Sequence, residues 1–334
     1  MANLRDLRKR IRSVKNTQKI TRAMKMVAAS KLRRAQDAIL QARPYAERME
    51  DVLRHIVERA DVSAHPLLQT RVPNRLELLV MTSDRGLCGA FNSNILRTAE
   101  RWLAENRPNH ERIDVSTIGR KARDHFRRRE IETKADYEGV FEHLDYSQAS
   151  HVARDLTARF RRGETDVIYL LYNEFKSAIS QNVRLVQLLP VQPLQADHFQ
   201  RVAVGEMASV SGDIRAVAGH DTGTLPQIEI GGEDWPLSEV IDTSSEGYEH
   251  LYEPDRDRVL DELLPQHLAV QMWRSLLESN AAEHGARMSA MDAASRNASE
   301  LIDSLTLQAN RVRQAGITNE LMEIVSGAES LSAA

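Results

Sequence analysis

The 334-residue sequence holds one cysteine, Cys88. That excludes an internal disulfide and a multi-thiolate metal site, and it points to a reducing compartment. Aromatic residues make up only 5% of the chain, which suits long helices better than a sandwich or barrel. No run of eighteen apolar residues occurs, so no segment reads as membrane-spanning. The eleven histidines show no His-x-x-x-His or Glu-x-x-His spacing, so no metal site is expected. Acids are nearly missing from the start, where residues 1–35 carry twelve Lys or Arg against Asp6 alone. Such a start imitates an organelle transit peptide. The heptad pattern from Leu4 runs well past any cleavage site, so that reading is rejected.

What is present is a seam. Leu4, Leu7, Ile11, Val14, Gln18, Thr21, Lys25, Ala28, Leu32, Ala35, Ile39, Ala42, Ala46, Met49, Leu53 and Ile56 recur in strict 3-4 alternation. Thirteen of these sixteen are apolar, the signature of a coiled-coil helix over residues 1–60. At 1.5 Å per residue such a helix is about 85 Å long, so it projects from any domain this chain can build and requires a partner. Pro44 falls inside the pattern and predicts a local bend. A second seam runs from Val270 to Met322 through Trp273, Leu277, His284, Arg287, Met291, Leu301, Leu305, Gln308 and Val312. The helix of residues 255–327 is expected to pair antiparallel with the first.

Between them the period changes. His65-Pro66 and Val72-Pro73 mark a linker. Short apolar runs at 76–82, 113–118, 131–137, 166–175 and 182–191 alternate with helical stretches at 92–105, 121–129 and 147–161. The expected fold is a Rossmann-like α/β head over residues 73–195, its sheet partly parallel, carried on a long antiparallel coiled coil. Residues 196–250 contain eleven acids against Arg201 and Arg215 and read as an acidic insertion. The net charge of −3 therefore averages opposed surfaces.

Little in the chain suggests chemistry. The turn Asp84-Arg85-Gly86-Leu87-Cys88-Gly89 follows the first strand, where α/β folds often hold phosphate. It lacks the Lys-Ser/Thr of a P-loop and the three-glycine dinucleotide spacing, so a structural turn is favoured. Cys88 has no adjacent His or Asn to activate it and reads as a small buried side chain. No acid–base pair, nucleophile or cofactor site emerges. The basic face of the first helix (Arg8, Lys9, Arg12, Lys15, Lys19, Arg22) admits nucleic acid, an acidic protein surface or plain solvation. No aromatic precedes Tyr45, which disfavours nucleic acid. A coiled-coil adaptor and a basic nucleic-acid-binding hairpin remain the rivals at this point.

Four motifs resolve the choice. Residues 17–31 (TQKITRAMKMVAASK), 82–89 (TSDRGLCG), 251–255 (LYEPD) and the C-terminal stretches 311–321 and 323–328 occur in order from one end of the chain to the other, and the likeness they carry covers about 285 of its residues. Together they resemble the γ subunit of F-type ATP synthases. The resemblance implies a non-catalytic central rotor shaft inside a ring of α and β subunits, coupling proton flow to ATP synthesis and hydrolysis. It also implies an ε subunit and a membrane c-ring as partners, and a peripheral position on the cytoplasmic face of the bacterial inner membrane. Met24, Lys25, Arg287, Gln314 and Thr318 match positions that contact β in that family, while Asp84, Arg85, Gly86, Cys88 and Gly89 match its structural turn. The sequence departs from the family between Pro193 and Tyr248, where a typical bacterial member has a short connection. Residues 196–250 contain no cysteine, so thiol switching there is excluded. A solvated elaboration and an element restraining backward rotation both remain open for it.

Overall fold

A computed structural model of the chain describes residues 4–57, 65–178, 180–191 and 256–332. The expected acidic insertion lies outside the described residues.

Helix α1 (Leu4–Val57) runs unbroken through Pro44, which faces solvent, where its missing N–H leaves no buried carbonyl unpaired. The buried and half-buried positions of α1 follow the 3-4 seam from Leu4 to Ile56. Its partner is the last helix, α5 (Arg256–Ser332), of 77 residues and about 115 Å. The two are antiparallel. Leu7 packs with Leu305 and Ala309, whereas Leu53 and Ile56 pack with Leu260, Leu264 and Leu268.

The second seam differs in part from the expected one. Above Met291 the positions facing α1 are Ser295, Ala298, Ile302, Leu305, Ala309 and Val312. Leu301 is 48% exposed and Gln308 is exposed, although both fit the heptad. Swapping the 3-4 step for a 4-3 step brings small or branched residues against Leu7, Ile11 and Val14, and α1 determines which set is used. Packing also ends sooner than expected. Val312 is the last described residue of α5 with any shelter, so Ala315, Asn319 and Met322 have no seam to occupy.

The head consists of β1 (Arg75–Met81), α2 (Phe91–Asn106), β2 (Arg112–Ile118), α3 (Arg120–Arg127), β3 (Thr133–Tyr137), α4 (Tyr146–Arg161), β4 (Val167–Phe175) and β5 (Gln181–Leu189). The sheet order is β3-β2-β1-β4-β5, parallel except for β5, which runs antiparallel to β4. The central strand β1 is covered on both faces, which explains why its residues are apolar in both directions at all but one position from Leu76 to Met81. Leu78 and Val80 meet α2 and α3, while Leu79 and Met81 meet α4 and the lower shaft. The 65–74 linker is less of a linker than its prolines suggest. Leu67 and Leu68 are buried in the same core as Leu53 and Leu264. Each fully buried leucine of this kind contributes about 1.5–3 kcal/mol, so the head is fused to the shaft rather than hung from it.

One residue breaks the apolar run of β1. Glu77 is fully buried, and its carboxylate is held by Arg159 Nη1 at 2.8 Å and accepts the Ser116 hydroxyl at 2.6 Å. Arg159 also donates to Tyr137 and Asp155. The pair ties α4 across β1 and β2.

Candidate functional site: the shaft tip and the head–shaft joint

In a doubly wound sheet, ligands bind beyond the carboxyl ends of the strands, where the connections diverge to opposite faces. Here that place is filled by protein. The turn after β1 packs directly on α5. Gly89, with φ +57°, lies where a Cβ would sit 3.6 Å from the Ala290 Cβ. Gly285 of α5 presses on the backbone of Ala178, and a Cβ there would come within 3.1 Å of its carbonyl oxygen. Around this contact Cys88, Phe91, Phe175 and Ala178 from the head meet Leu32, Ala35, Ala281 and Ala282 from the shaft. Six consecutive residues of α5, 281–286, are buried.

The turn is braced from within. The Asp84 side chain is buried and accepts the backbone N–H of Arg120 at 3.1 Å. Ser83 and Asn92 bond each other, and the Asn92 amide lies 3.2 Å from the Cys88 sulfur. Burial raises the Cys88 thiol pKa, which suits a packing residue and not a nucleophile. Arg85 is largely exposed, 3.8 Å from Glu142. Gly86 offers its carbonyl to Arg287 at 3.3 Å.

The five residues matched to β-contact positions fall in two places. Met24 and Arg287 line a groove of about 750 Å³ between α1, α5 and the turn, together with Ile20, Val27, Leu87 and Phe141. Lys25 is adjacent, but it faces α5 and is bound to Asp292 at 2.7 Å. That cation holds the Asp292 carboxyl below its ordinary range. Thr21 is buried as well and returns its hydroxyl to the Gln18 carbonyl at 3.0 Å. The polar seam positions Gln18, Thr21 and Lys25 thus lie on the sheltered side of the helix, and the polar groups of Thr21 and Lys25 are satisfied within the coiled coil. The outward face of the same stretch is Ile20, Arg22, Met26 and Val27, of which the sequence points only to Arg22, through the basic face.

Arg287 is also committed inside the chain. Its guanidinium sits 2.5 Å from Glu283 and bonds the His284 ring. Burial, with the Arg287 and Lys31 cations, lowers the His284 pKa to about 4, so this ring is neutral at pH 7. Burial pushes the Glu283 carboxyl upward against the pull of Arg287. The i,i+4 spacing of Glu283 and Arg287 was the available signal for this latch.

Gln314 and Thr318 lie elsewhere, about 40 Å up the shaft from Arg287. Both are exposed, and the Thr318 hydroxyl bonds the Gln314 carbonyl at 3.0 Å. They belong to the last twenty residues of α5, a single helix about 30 Å long beyond the end of the pairing. Ile317, Leu321, Met322, Ile324 and Val325 stand between 50% and 68% exposed there. An apolar helix left bare at the end of a coiled coil implies an external sleeve. The head is locked to the shaft, its ligand crevice is plugged, and the shaft ends in a bare apolar tip. These features define a stalk subunit, a mechanical element whose site is its surface.

Comparison with known proteins agrees. A family model described as ATP synthase matches residues 3–331. The ATP synthase gamma chain of Anaeromyxobacter sp. (strain Fw109-5) is 48% identical over 335 aligned residues, covering 99% of this chain and all of that one. The gamma chain of Geobacter metallireducens is 43% identical, with 99% of each chain covered. Among solved structures, a chain of the Euglena gracilis mitochondrial ATP synthase (OSCP/F1/c-ring) superposes with a TM-score of 0.61 at 17% identity, covering 99% of this chain and 95% of its own. A chain of the Tetrahymena thermophila mitochondrial central stalk/c-ring superposes at 0.54 and 23% identity, covering 83% and 99%. The chain belongs to the ATP synthase gamma-chain family.

Proposed function

We propose that this chain is the central rotor shaft of an F-type ATP synthase, turned by a membrane c-ring and an ε subunit at the head end. Its tip turns inside a ring of α and β subunits. Rotation of an asymmetric shaft biases each β site through its conformations in turn, and coupling requires only that different faces of the shaft favour different β states. Nucleotide chemistry belongs to β, and this chain contributes no catalytic group. The complex sits peripherally on the cytoplasmic face of the bacterial inner membrane. Among the described residues, no helix is long and apolar enough to cross a membrane.

The observation that carries the reading is the bare tip of α5, where five large apolar side chains project from one unpaired helix. Gln314 and Thr318 would meet β there, and Met24 would do so from the groove at the joint. Lys25 and Arg287, bound to Asp292 and Glu283, would reach β only by sharing or exchanging those partners. To test the role, a cysteine at Gln314 is crosslinked to a neighbouring β subunit in the assembled complex. Proton-driven ATP synthesis is then expected to stop, and to return on reduction of the crosslink. Synthesis that continues through an intact crosslink refutes the shaft role.

A further inference from the structure

The head carries a second concave surface. A polar cleft of about 510 Å³ opens between α2 and the start of β5. Asn94, Arg97, Thr98 and Arg101 of α2 form one wall, at the i, i+3, i+4, i+7 spacing of a single helix face. Asn182 and Arg184 of β5 stand opposite. No acid lines the cleft. Arg184 is bound to Glu174 at 3.0 Å, whereas Arg97 and Arg101 are exposed and make no ion pair among the described residues. Two free guanidiniums one turn apart, flanked by carboxamides and a hydroxyl, suit carboxylates presented in series. β5 is also the end strand of the sheet, with β4 on one side only.

We propose that this cleft binds the chain's own acidic stretch within residues 196–250. Charge complementarity is the first argument. Eleven acids against two arginines meet a cleft with three arginines and no acid. Connection is the second. β5, which forms one wall of the cleft, leads directly into that stretch after Val191, so the ligand is tethered to its site and the local concentration of carboxylates is high. The cleft lies about 30 Å along β5 from that exit, within easy reach of the 64 residues from 192 to 255. The basic face of α1 competes for the same acids, but it is a convex helix surface without a second wall. The proposal is independent of the rotor reading and concerns only how this chain occupies its own head.

The test uses the assembled complex with a photocrosslinking amino acid at Thr98, mapped by mass spectrometry. Adducts within residues 196–250 are expected. Their yield should fall roughly tenfold in the Arg97→Glu/Arg101→Glu variant and also in high salt, as for a few exposed ion pairs. Replacing the eleven acids by their amides should lower the yield comparably while leaving the head sequence untouched. Adducts to another subunit overturn the proposal in favour of an acidic partner. Adducts to other parts of this chain, a yield indifferent to both variants, or no adducts at all overturn it as well.

Discussion

The contact between Gly285 and Ala178 makes a prediction with an internal control. Both Gly285 and Gly316 lie within α5, and in a helix interior glycine costs about 1 kcal/mol relative to alanine. At Gly316 nothing lies within 4 Å of an added Cβ, so Gly316→Ala collects the whole propensity gain. At Gly285 the added Cβ meets the Ala178 Cα at 3.2 Å and its carbonyl oxygen at 3.1 Å, both backbone atoms that move only with the head. Overpacking of that kind costs about 1–3 kcal/mol, which cancels or outweighs the gain. The same substitution on the same helix is therefore expected to have different outcomes. Hydrogen–deuterium exchange read by mass spectrometry resolves the two sites. Peptides over 312–320 should gain about fivefold protection in Gly316→Ala. Peptides over 281–289 and 175–182 should show none, or lose up to about thirtyfold, in Gly285→Ala. Equal gains at both positions would show that helix and head backbone do not press on each other, and the locked joint would be wrong.

Three further outcomes follow from the packing. Arg159→Met strands the buried Glu77 carboxylate and should cost about 3–5 kcal/mol in urea denaturation, whereas Glu77→Leu/Arg159→Met should recover most of the loss. If the double variant is as unstable as the single one, the charge is not the cause. Burial lifts the Glu50 carboxyl to about 7, so the folded chain keeps a proton that the unfolded chain releases near 4.5. Stability from this group therefore falls as pH rises from about 4.5 through 7. Glu50→Gln should stabilise the chain at pH 8 by at most about 3 kcal/mol and be neutral at pH 4, as read from melting curves at both pH values. Cys88, 2% exposed with its pKa raised by burial, should react with iodoacetamide at pH 8 only after denaturation; rapid labelling of the folded chain would contradict the closed turn.

The α1 seam could be read from sequence because a 3-4 rhythm over sixteen positions has one physical meaning, and every one of them is sheltered. The strands of the head were legible for a similar reason, since β1 is apolar on both faces and flanked by turn residues. Three things were not. Heptad arithmetic cannot choose between Leu301 and Ile302 or between Gln308 and Ala309, since neighbouring positions both fit and the partner helix decides. The inward direction of Lys25 depends on Asp292, 267 residues away, which no local pattern reveals. The charge in β1 escaped notice because Glu77 sits among leucines, and its partner Arg159 appears only when α4 is folded across the sheet. At the joint, Arg287 was named but its commitment to Glu283 and Gly86 was not, because the latter requires the β1 turn to reach the shaft.

The change from two helices to one along α5 also alters the outline of the shaft. Packed helices stand about 9 Å apart, so the paired portion is oblong, about twice as long as it is wide in section. A fixed body touching that portion is pushed outward by about 5 Å as the long axis comes round and is then let back. Beyond Val312 the section is a single helix, close to circular, and the same turn displaces its surroundings hardly at all. The lower length is therefore a cam and the upper length a pivot, and the ratio between them is set by where α1 begins.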